Sequence, residues 1–127
     1  MHAAWYTKNG EARDVMVVGE WPTPTPAAGE VLVRLATSGV NPSDVKSRRT
    51  RPLTEPIVPH SDGAGVIQAV GQGVSTARVG ERVWIWNGQW QRPLGTASQF
   101  IVLAAEQAVA LPAGTTDAEA ACLGIPA

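Results

Sequence analysis

The chain has 127 residues, ten basic against eleven acidic side chains, a formal net charge of −1 and a hydrophobic fraction of 44%. This length allows one domain with a substantial core, and the composition is that of a globular chain rather than a disordered one. The balanced charge excludes a generic binder of nucleic acid or of an anionic membrane surface, because the long-range attractive field is missing.

Targeting signals and cysteine content narrow the class further. The first residues show no basic segment followed by an apolar one, and no apolar stretch approaches the ~20 residues of a membrane span. The single cysteine, Cys122, excludes an internal disulfide framework and a cysteine-rich zinc site. Within an alanine-rich helix, Cys122 is predicted to be a small buried side chain. The sequence therefore predicts a soluble protein of the cytoplasm.

Short apolar runs separated by glycine and proline are typical of an all-β barrel or sandwich. The predicted strands cover residues 15–18, 30–36, 63–70, 82–86, 97–103 and 107–111. Residues 30–36 alternate, with Val31, Val33 and Leu35 on one face and Arg34 on the other. Two short helices interrupt the strands. The first begins after an N-cap at Asn41 and runs to about Arg51. The second begins after Thr116, which has the spacing of a capping box.

Residues 66–76 contain a strand followed by Gly71 and Gly73, which superficially matches a dinucleotide-binding fingerprint. In that fingerprint a helix opens at the glycines, so that its N-terminus faces the pyrophosphate. Here a turn signal at Gly80 and another strand follow instead. The pattern favours a glycine-rich β-turn.

His60, Ser61 and Asp62 are the residue types of a hydrolase triad. Neighbours in an extended segment point in opposite directions, so they cannot form the relay. The other histidine, His2, is expected at a mobile terminus. A catalytic zinc site needs three cysteine, histidine or carboxylate ligands, and none stands at ligand spacing. We expect no metal, and His60 as a turn residue or a pocket wall.

The first predicted helix carries four of the ten basic residues: Lys46, Arg48, Arg49 and Arg51. Cations are favoured at the C-terminal end of a helix, so a solvated helix end accounts for them. A sharper hypothesis is that Lys46 contacts an anionic ligand. Among the five tryptophans, Trp90 lies in a polar loop and is the best candidate for an aromatic side chain that faces a ligand.

Five segments taken together resemble the medium-chain dehydrogenase/reductase superfamily, and its zinc-independent quinone oxidoreductase (zeta-crystallin-like) branch most closely. They are residues 38–46 (SGVNPSDVK), 59–67 (PHSDGAGVI), 79–83 (VGERV), 95–100 (GTASQF) and 121–127 (ACLGIPA). The resemblance implies a mainly β, GroES-like fold, a partly open β-barrel with two or three short helices. It also implies that residues 1–127 are a substrate-binding domain, truncated before a Rossmann domain that follows in complete members.

The resemblance assigns roles position by position. The zinc-dependent branch has cysteine where Asn41 stands and a His-Glu pair at Ser61 and Asp62, so no zinc is implied here. Asn41 would be a catalytic residue that also contacts the nicotinamide. Ser43, the second catalytic candidate, matches the proton-relay hydroxyl of the zinc branch.

Two further positions depart from the family pattern. Lys46 stands where quinone reductases often have a tyrosine close to the cofactor, and is the second cofactor-binding candidate. His60 replaces the usual glycine before Ser61 and would narrow the substrate pocket, with Trp90 as another wall.

The function implied is an NADPH-dependent reductase that transfers hydride to a quinone or an enone held in a dry cleft. Asn41 and Lys46 are the expected donors to the developing oxygen. NADPH would be bound mainly by the absent Rossmann domain, so the isolated 127 residues are expected to be inactive, and the full-length protein to be a homodimer. The alternative is a free-standing GroES-like binding or assembly module without turnover. A third alternative, a zinc alcohol dehydrogenase, is not supported, because the zinc-ligand residues of that branch are missing.

Overall fold

The computed structural model describes residues 1–126. Its strands are β1 (His2–Trp5), β2 (Val17–Glu20), β3 (Glu30–Gly39), β4 (Asp62–Val70), β5 (Arg82–Ile85), β6 (Phe100–Ala104) and β7 (Ala108–Ala110). Its α-helices are α1 (Ala12–Val15), α2 (Pro42–Thr50) and α3 (Asp117–Ala120), and Thr76–Arg78 and Ala105–Gln107 are 3₁₀ turns. The prediction of a mainly β domain with two or three short helices is confirmed.

The strands form two antiparallel sheets. The larger has five strands in the order β6-β3-β4-β5-β7, and the smaller pairs β1 with β2. Backbone hydrogen bonds from Ala4 to Ala97 (2.9 Å) and from Gln99 to His2 (3.0 Å) join the small sheet to the loop before β6. Over residues 1–126 the edge strands β6 and β7 do not pair with each other, so the barrel is partly open, as predicted.

One apolar core lies against the five-stranded sheet. Its fully or nearly fully buried members are Val31, Val33, Ile67, Val83, Ile85, Ile101, Leu103 and Ala108. The faces predicted for β3 are confirmed at Val31 and Val33, which are inaccessible, and at Arg34, which is exposed, although Leu32 between the two valines is also buried. A register shift between Leu32 and Val33 interrupts the pairing with β4 and bends the central strand locally.

The N-terminal region differs from the prediction. Val15 ends the single turn of α1, which was not predicted, and the strand begins only at Val17. His2 does not lie on a free terminus: it pairs with Glu20 in β1, and the terminal amine donates to the Trp21 carbonyl at 2.9 Å. A strand pair whose members lie so far apart in sequence leaves no local periodic signal, which is why the sequence missed it.

Of two smaller predictions, one is confirmed and the other is wrong. The glycine-rich β-turn is confirmed: β4 ends at Val70, the Gly71 amide donates to the Glu30 carbonyl (2.7 Å), and a 3₁₀ turn follows rather than a phosphate-binding helix. The prediction that Cys122 is buried is wrong, because α3 ends at Ala120 and Cys122 is exposed. The apolar side of α3 is supplied by Ala120, which is fully buried.

Candidate functional site

Buried polar side chains gather where α2 begins, β4 begins and the segment after α3 passes. The buried polar or charged residues are Asn41, Asp44, Ser61, Asp62 and Thr96. Since a buried polar group is costly unless it is hydrogen-bonded, their partners define the geometry of this region.

Asp62 is the centre of the cluster. It is 0% exposed and accepts hydrogen bonds from the Asn41 side-chain amide (2.9 Å) and the Ile125 backbone (3.1 Å). A Cβ on Gly124 would lie 2.1 Å from the Asp62 carboxylate, so the segment can approach this closely only with glycine. Asp62 therefore fastens both α2 and the segment around Ile125 to the first residue of β4.

The N-terminus of α2 is built as the sequence indicated. Asn41 has an extended backbone (φ −117°), Pro42 occupies the first turn, and the Asn41 N–H donates to the Asp44 carboxylate at 2.8 Å. Burial raises the pKa of Asp44, and the hydrogen bond from the Asn41 backbone opposes that shift. Asn41 is thus held by α2 on one side and by Asp62 on the other.

A chain of hydroxyls fixes His60. The Ser38 hydroxyl lies 2.9 Å from His60 Nδ1 and 2.8 Å from the Thr96 hydroxyl, which donates to the Asp62 carbonyl at 2.7 Å. The one Thr96 proton is used on that carbonyl, so Ser38 must donate to Thr96 and accept from His60. The geometry assigns the neutral His60 proton to Nδ1 and leaves Nε2 as an acceptor.

The backbone and charge of His60 are also unusual. Its φ of +79° lies in a region that favours glycine, the residue usual at this position in the family it resembles. Burial lowers the pKa of His60 below its ordinary value of 6.5, with Asp44 raising it and Arg48 lowering it further. At neutral pH the ring is therefore uncharged. Its bonded hydroxyl is Ser38 rather than the adjacent Ser61.

Two cavities border this cluster. The Trp90 cavity, about 360 Å³, lies between α2 and the loop after β5, and is lined by Ser43, Asp44, Ser47, Arg51, Ser61, Asn87, Gln89, Trp90 and Ile125. The His60 cavity, about 290 Å³, is lined by Ala4, Leu35, Ala36, Thr37, Ser38, His60, Thr96, Ala97 and Ser98. The structure thus brings Ser43 and Trp90 together but gives His60 a different cavity.

The other predicted residues lie outside both cavities. Asn41 is 6% exposed and lines neither cavity. Lys46 is exposed and lines neither cavity. Ser43 and Ser47 are spaced one turn apart on α2, and Arg51 follows as its C-cap; all three line the Trp90 cavity.

Sequence reasoning predicted Ser43 and Trp90 but missed the other residues that line the Trp90 cavity, among them Ser61, Arg51 and Gln89. Ser61 was weighed as a triad member and as a lost metal-ligand position, and the second of these was a signal that the residue borders the site. Arg51 was one cation in a basic helix end. Gln89 gave no signal, because a loop residue acquires a wall only when the loop is placed against α2.

The donor set does not fit zinc. Over residues 1–126, no three histidine, cysteine, aspartate or glutamate side chains are grouped as metal ligands require. Asn41 and Ser61 offer an amide and a hydroxyl instead. No helix in the same range is long and apolar enough to cross a membrane.

The sequence and the fold both match known proteins. Residues 27–113 match the profile of the alcohol dehydrogenase GroES-like domain. The chain is 36% identical over 107 residues to the rat (Rattus norvegicus) synaptic vesicle membrane protein VAT-1 homolog, covering 79% of this chain and 24% of that protein. It is 33% identical over 106 residues to the quinone oxidoreductase of the same species, covering 81% and 31%.

Solved structures show the same relationship. The quinone oxidoreductase of Pseudomonas syringae superposes with a TM-score of 0.84 at 28% identity, over 98% of this chain and 37% of that one. An alcohol dehydrogenase superfamily protein of Novosphingobium aromaticivorans gives 0.87 at 33% identity, over 98% and 38%. The chain therefore spans between a quarter and two fifths of the proteins that it matches here.

Proposed function

Since the chain belongs to the alcohol dehydrogenase GroES-like domain family of medium-chain dehydrogenases and reductases, we propose that it is the substrate-binding domain of an NADPH-dependent reductase of quinones or enones. The observation that carries this proposal is the Trp90 cavity, an aromatic and hydroxyl-lined space in a chain that resembles quinone oxidoreductases. In this proposal the reductase is metal-free, because Asn41 and Ser61 stand at ligand positions of the zinc-dependent branch but carry an amide and a hydroxyl, which are not zinc ligands.

The residues of the Trp90 cavity suit a planar, electron-poor acceptor. The Trp90 ring, 61% exposed, offers a flat apolar surface at the mouth of the cavity. The Ser43 and Ser61 hydroxyls line the same space and can donate hydrogen bonds to the oxygen that becomes negative during reduction. In this proposal Ser43 remains a catalytic candidate, but as a donor that stabilises the oxygen rather than as the proton-relay hydroxyl that the resemblance suggested.

In this proposal NADPH would be bound mainly by a Rossmann domain outside these residues, and when bound it would supply the hydride. On this chain Asn41 is the residue proposed to lie near the nicotinamide. Its side chain donates to Asp62, so its amide orientation is fixed before a ligand arrives. Lys46 remains the second proposed contact, from the exposed surface of α2.

The position of Asn41 changes how it should be tested. On the family resemblance alone, Asn41→Ala is expected to lower reductase efficiency without unfolding the protein. Because the Asn41 amide is a donor to the fully buried Asp62, this substitution also leaves a buried acceptor short of a partner, at a cost of about 1–2 kcal/mol. Ser43 and Trp90, both exposed, give cleaner tests.

The decisive experiment is steady-state kinetics of the full-length protein with NADPH and 1,4-naphthoquinone. Ser43→Ala should lower kcat by a factor on the order of 10², the size expected for one oxyanion donor. Trp90→Ala should mainly raise KM. Thr25→Ala, which removes an exposed hydroxyl from a residue that lines neither cavity, is the matched control.

Three outcomes would contradict the proposal. An absence of quinone or enone reduction by the full-length protein would favour the binding or assembly module without turnover. Equal kinetics for Ser43→Ala and Thr25→Ala would remove Ser43 from the mechanism. Stoichiometric zinc in the purified protein, measured by elemental analysis, would overturn the metal-free assignment.

A further inference from the structure

A third cavity continues from the Trp90 cavity along α2. This Arg92 cavity, about 180 Å³, is lined by Tyr6, Ser47, Arg51, Pro52, Leu53, Thr54, Glu55, Ile57, Gln89, Gln91, Arg92 and Pro93. Ser47, Arg51 and Gln89 belong to both cavities, so the two form one groove. Its Trp90 end is aromatic and hydroxyl-lined, and its other end carries two arginines.

Neither arginine has a carboxylate partner within residues 1–126. The ion pairs of arginine there are Arg49–Glu11, Arg78–Glu81 and Arg82–Asp117. Arg92 is half-buried and donates only to the backbone carbonyls of Leu94 and Val102. Burial lowers the pKa of Arg92, and the charge of Glu30, which makes no ion pair with it, acts in the opposite direction.

Tyr6 adds a neutral donor to the same end. The residue is only 3% exposed, and burial raises the pKa of its hydroxyl, with Arg48 and Arg51 acting in the opposite direction. No protein group among the described residues hydrogen-bonds the Tyr6 hydroxyl, and no fully enclosed side-chain oxygen there lacks a partner. The hydroxyl oxygen is therefore accessible, and Tyr6 lines the Arg92 cavity. Glu55 is the one carboxylate of the described lining, and it is exposed.

We propose that the Arg92 cavity is a subsite for the carboxylate of a ligand whose uncharged ring lies in the Trp90 cavity. Guanidinium groups bind carboxylates through two parallel hydrogen bonds, and the Tyr6 hydroxyl supplies a third donor. The volume accommodates a carboxylate with a few carbon atoms. That the ring is a quinone or enone rests on the proposed function, but the anionic subsite does not.

Equilibrium binding tests the subsite without turnover. The probes are 2-methyl-1,4-naphthoquinone and a 1,4-naphthoquinone with a propionate side chain, followed on the full-length protein by quenching of tryptophan fluorescence. The propionate compound should bind about tenfold more tightly at low salt, and the advantage should shrink as salt is added.

Variants locate the effect. Arg51→Gln should abolish the preference for the propionate, measured as the ratio of the two affinities in the same variant, because Arg51 also lines the Trp90 cavity and its loss affects both probes. Tyr6→Phe, which keeps the ring, should reduce the preference about threefold. Arg34→Gln removes the same charge from an exposed position on β3 that lines none of the three cavities, and should keep the preference intact.

The outcomes separate this proposal from the previous one. Equal affinity of the two probes for the unmodified protein, or a preference that survives Arg51→Gln in a folded variant, overturns the subsite. A preference lost in Arg51→Gln together with no NADPH-dependent reduction of either probe upholds the subsite and overturns the reductase. Circular dichroism melts of each variant show that the protein is folded.

Discussion

Two buried regions lie side by side and are held together differently. The core of the five-stranded sheet is wholly apolar, with Ile67 and Ile85 among its inaccessible residues. The cluster around Asp62 is polar, and its contacts are directional hydrogen bonds to Asn41, Thr96 and Ile125. Apolar contacts contribute free energy without fixing one geometry, whereas the polar cluster fixes where α2 and the Trp90 cavity lie relative to β4.

The largest expected loss of stability comes from the core. Ile67→Ala should lower the free energy of unfolding by about 2–5 kcal/mol, because the side chain is fully buried and leaves a cavity. Ile67→Val, the matched control, should cost about 0.5–1.5 kcal/mol. Urea denaturation measures both. Equal losses for the two variants would mean that the core relaxes around the missing atoms.

Asp62→Ala is expected to come next, at about 2–3 kcal/mol, because it leaves the Asn41 amide and the Ile125 N–H without their acceptor. The double variant with Asn41→Ala should lose less than the sum of the single losses, since the two residues share one hydrogen bond. Strict additivity in urea denaturation would show that the bond contributes nothing.

A smaller loss is expected for Gly124→Ala. The added Cβ would meet the Asp62 carboxylate, so the segment around Ile125 must move away at a cost of about 1–2 kcal/mol. Gly114→Ala is not a matched control, since Gly114 has a φ of +89°. Ala118→Gly, on the exposed side of α3, is a better comparison. Amide hydrogen exchange at Ile125 should accelerate only in Gly124→Ala.

The smallest effect concerns pH. Since the pKa of His60 is lowered in the folded state, the unfolded chain binds more protons below pH 6.5, and stability falls as pH drops from there through the folded pKa. The raised pKa of Asp44 acts in the opposite sense, because stability from that carboxyl rises as pH drops towards 3.8.

His60→Asn tests this dependence. Asparagine tolerates a positive φ and can still donate to Ser38, but it does not titrate. The urea midpoint of the unmodified protein should fall more between about pH 7 and about pH 5 than that of the variant. Parallel curves would show that His60 titrates alike in the folded and unfolded chains.

Much of the fold could be predicted from the sequence. The alternation in β3, the cap and proline that begin α2, and the glycine-rich turn after β4 are local patterns, and each is confirmed. The β1–β2 pair and α1 were missed, because pairing of distant residues such as His2 and Glu20 and a helix of one turn leave little local periodicity.

For the candidate site, too, local sequence features could be predicted, whereas contacts between distant residues could not. The sequence by itself determined the residue types at the start of α2 and β4, and with them the family and the absence of zinc-ligand types at Asn41 and Ser61. Only the tertiary structure decided which residues line the same cavity. Ser43 and Trp90 line one, His60 lines another, and Arg51 and Arg92 line a third. These groupings depend on how a loop packs against a helix, and the spacing of two residues in the sequence does not determine the distance between them in the fold.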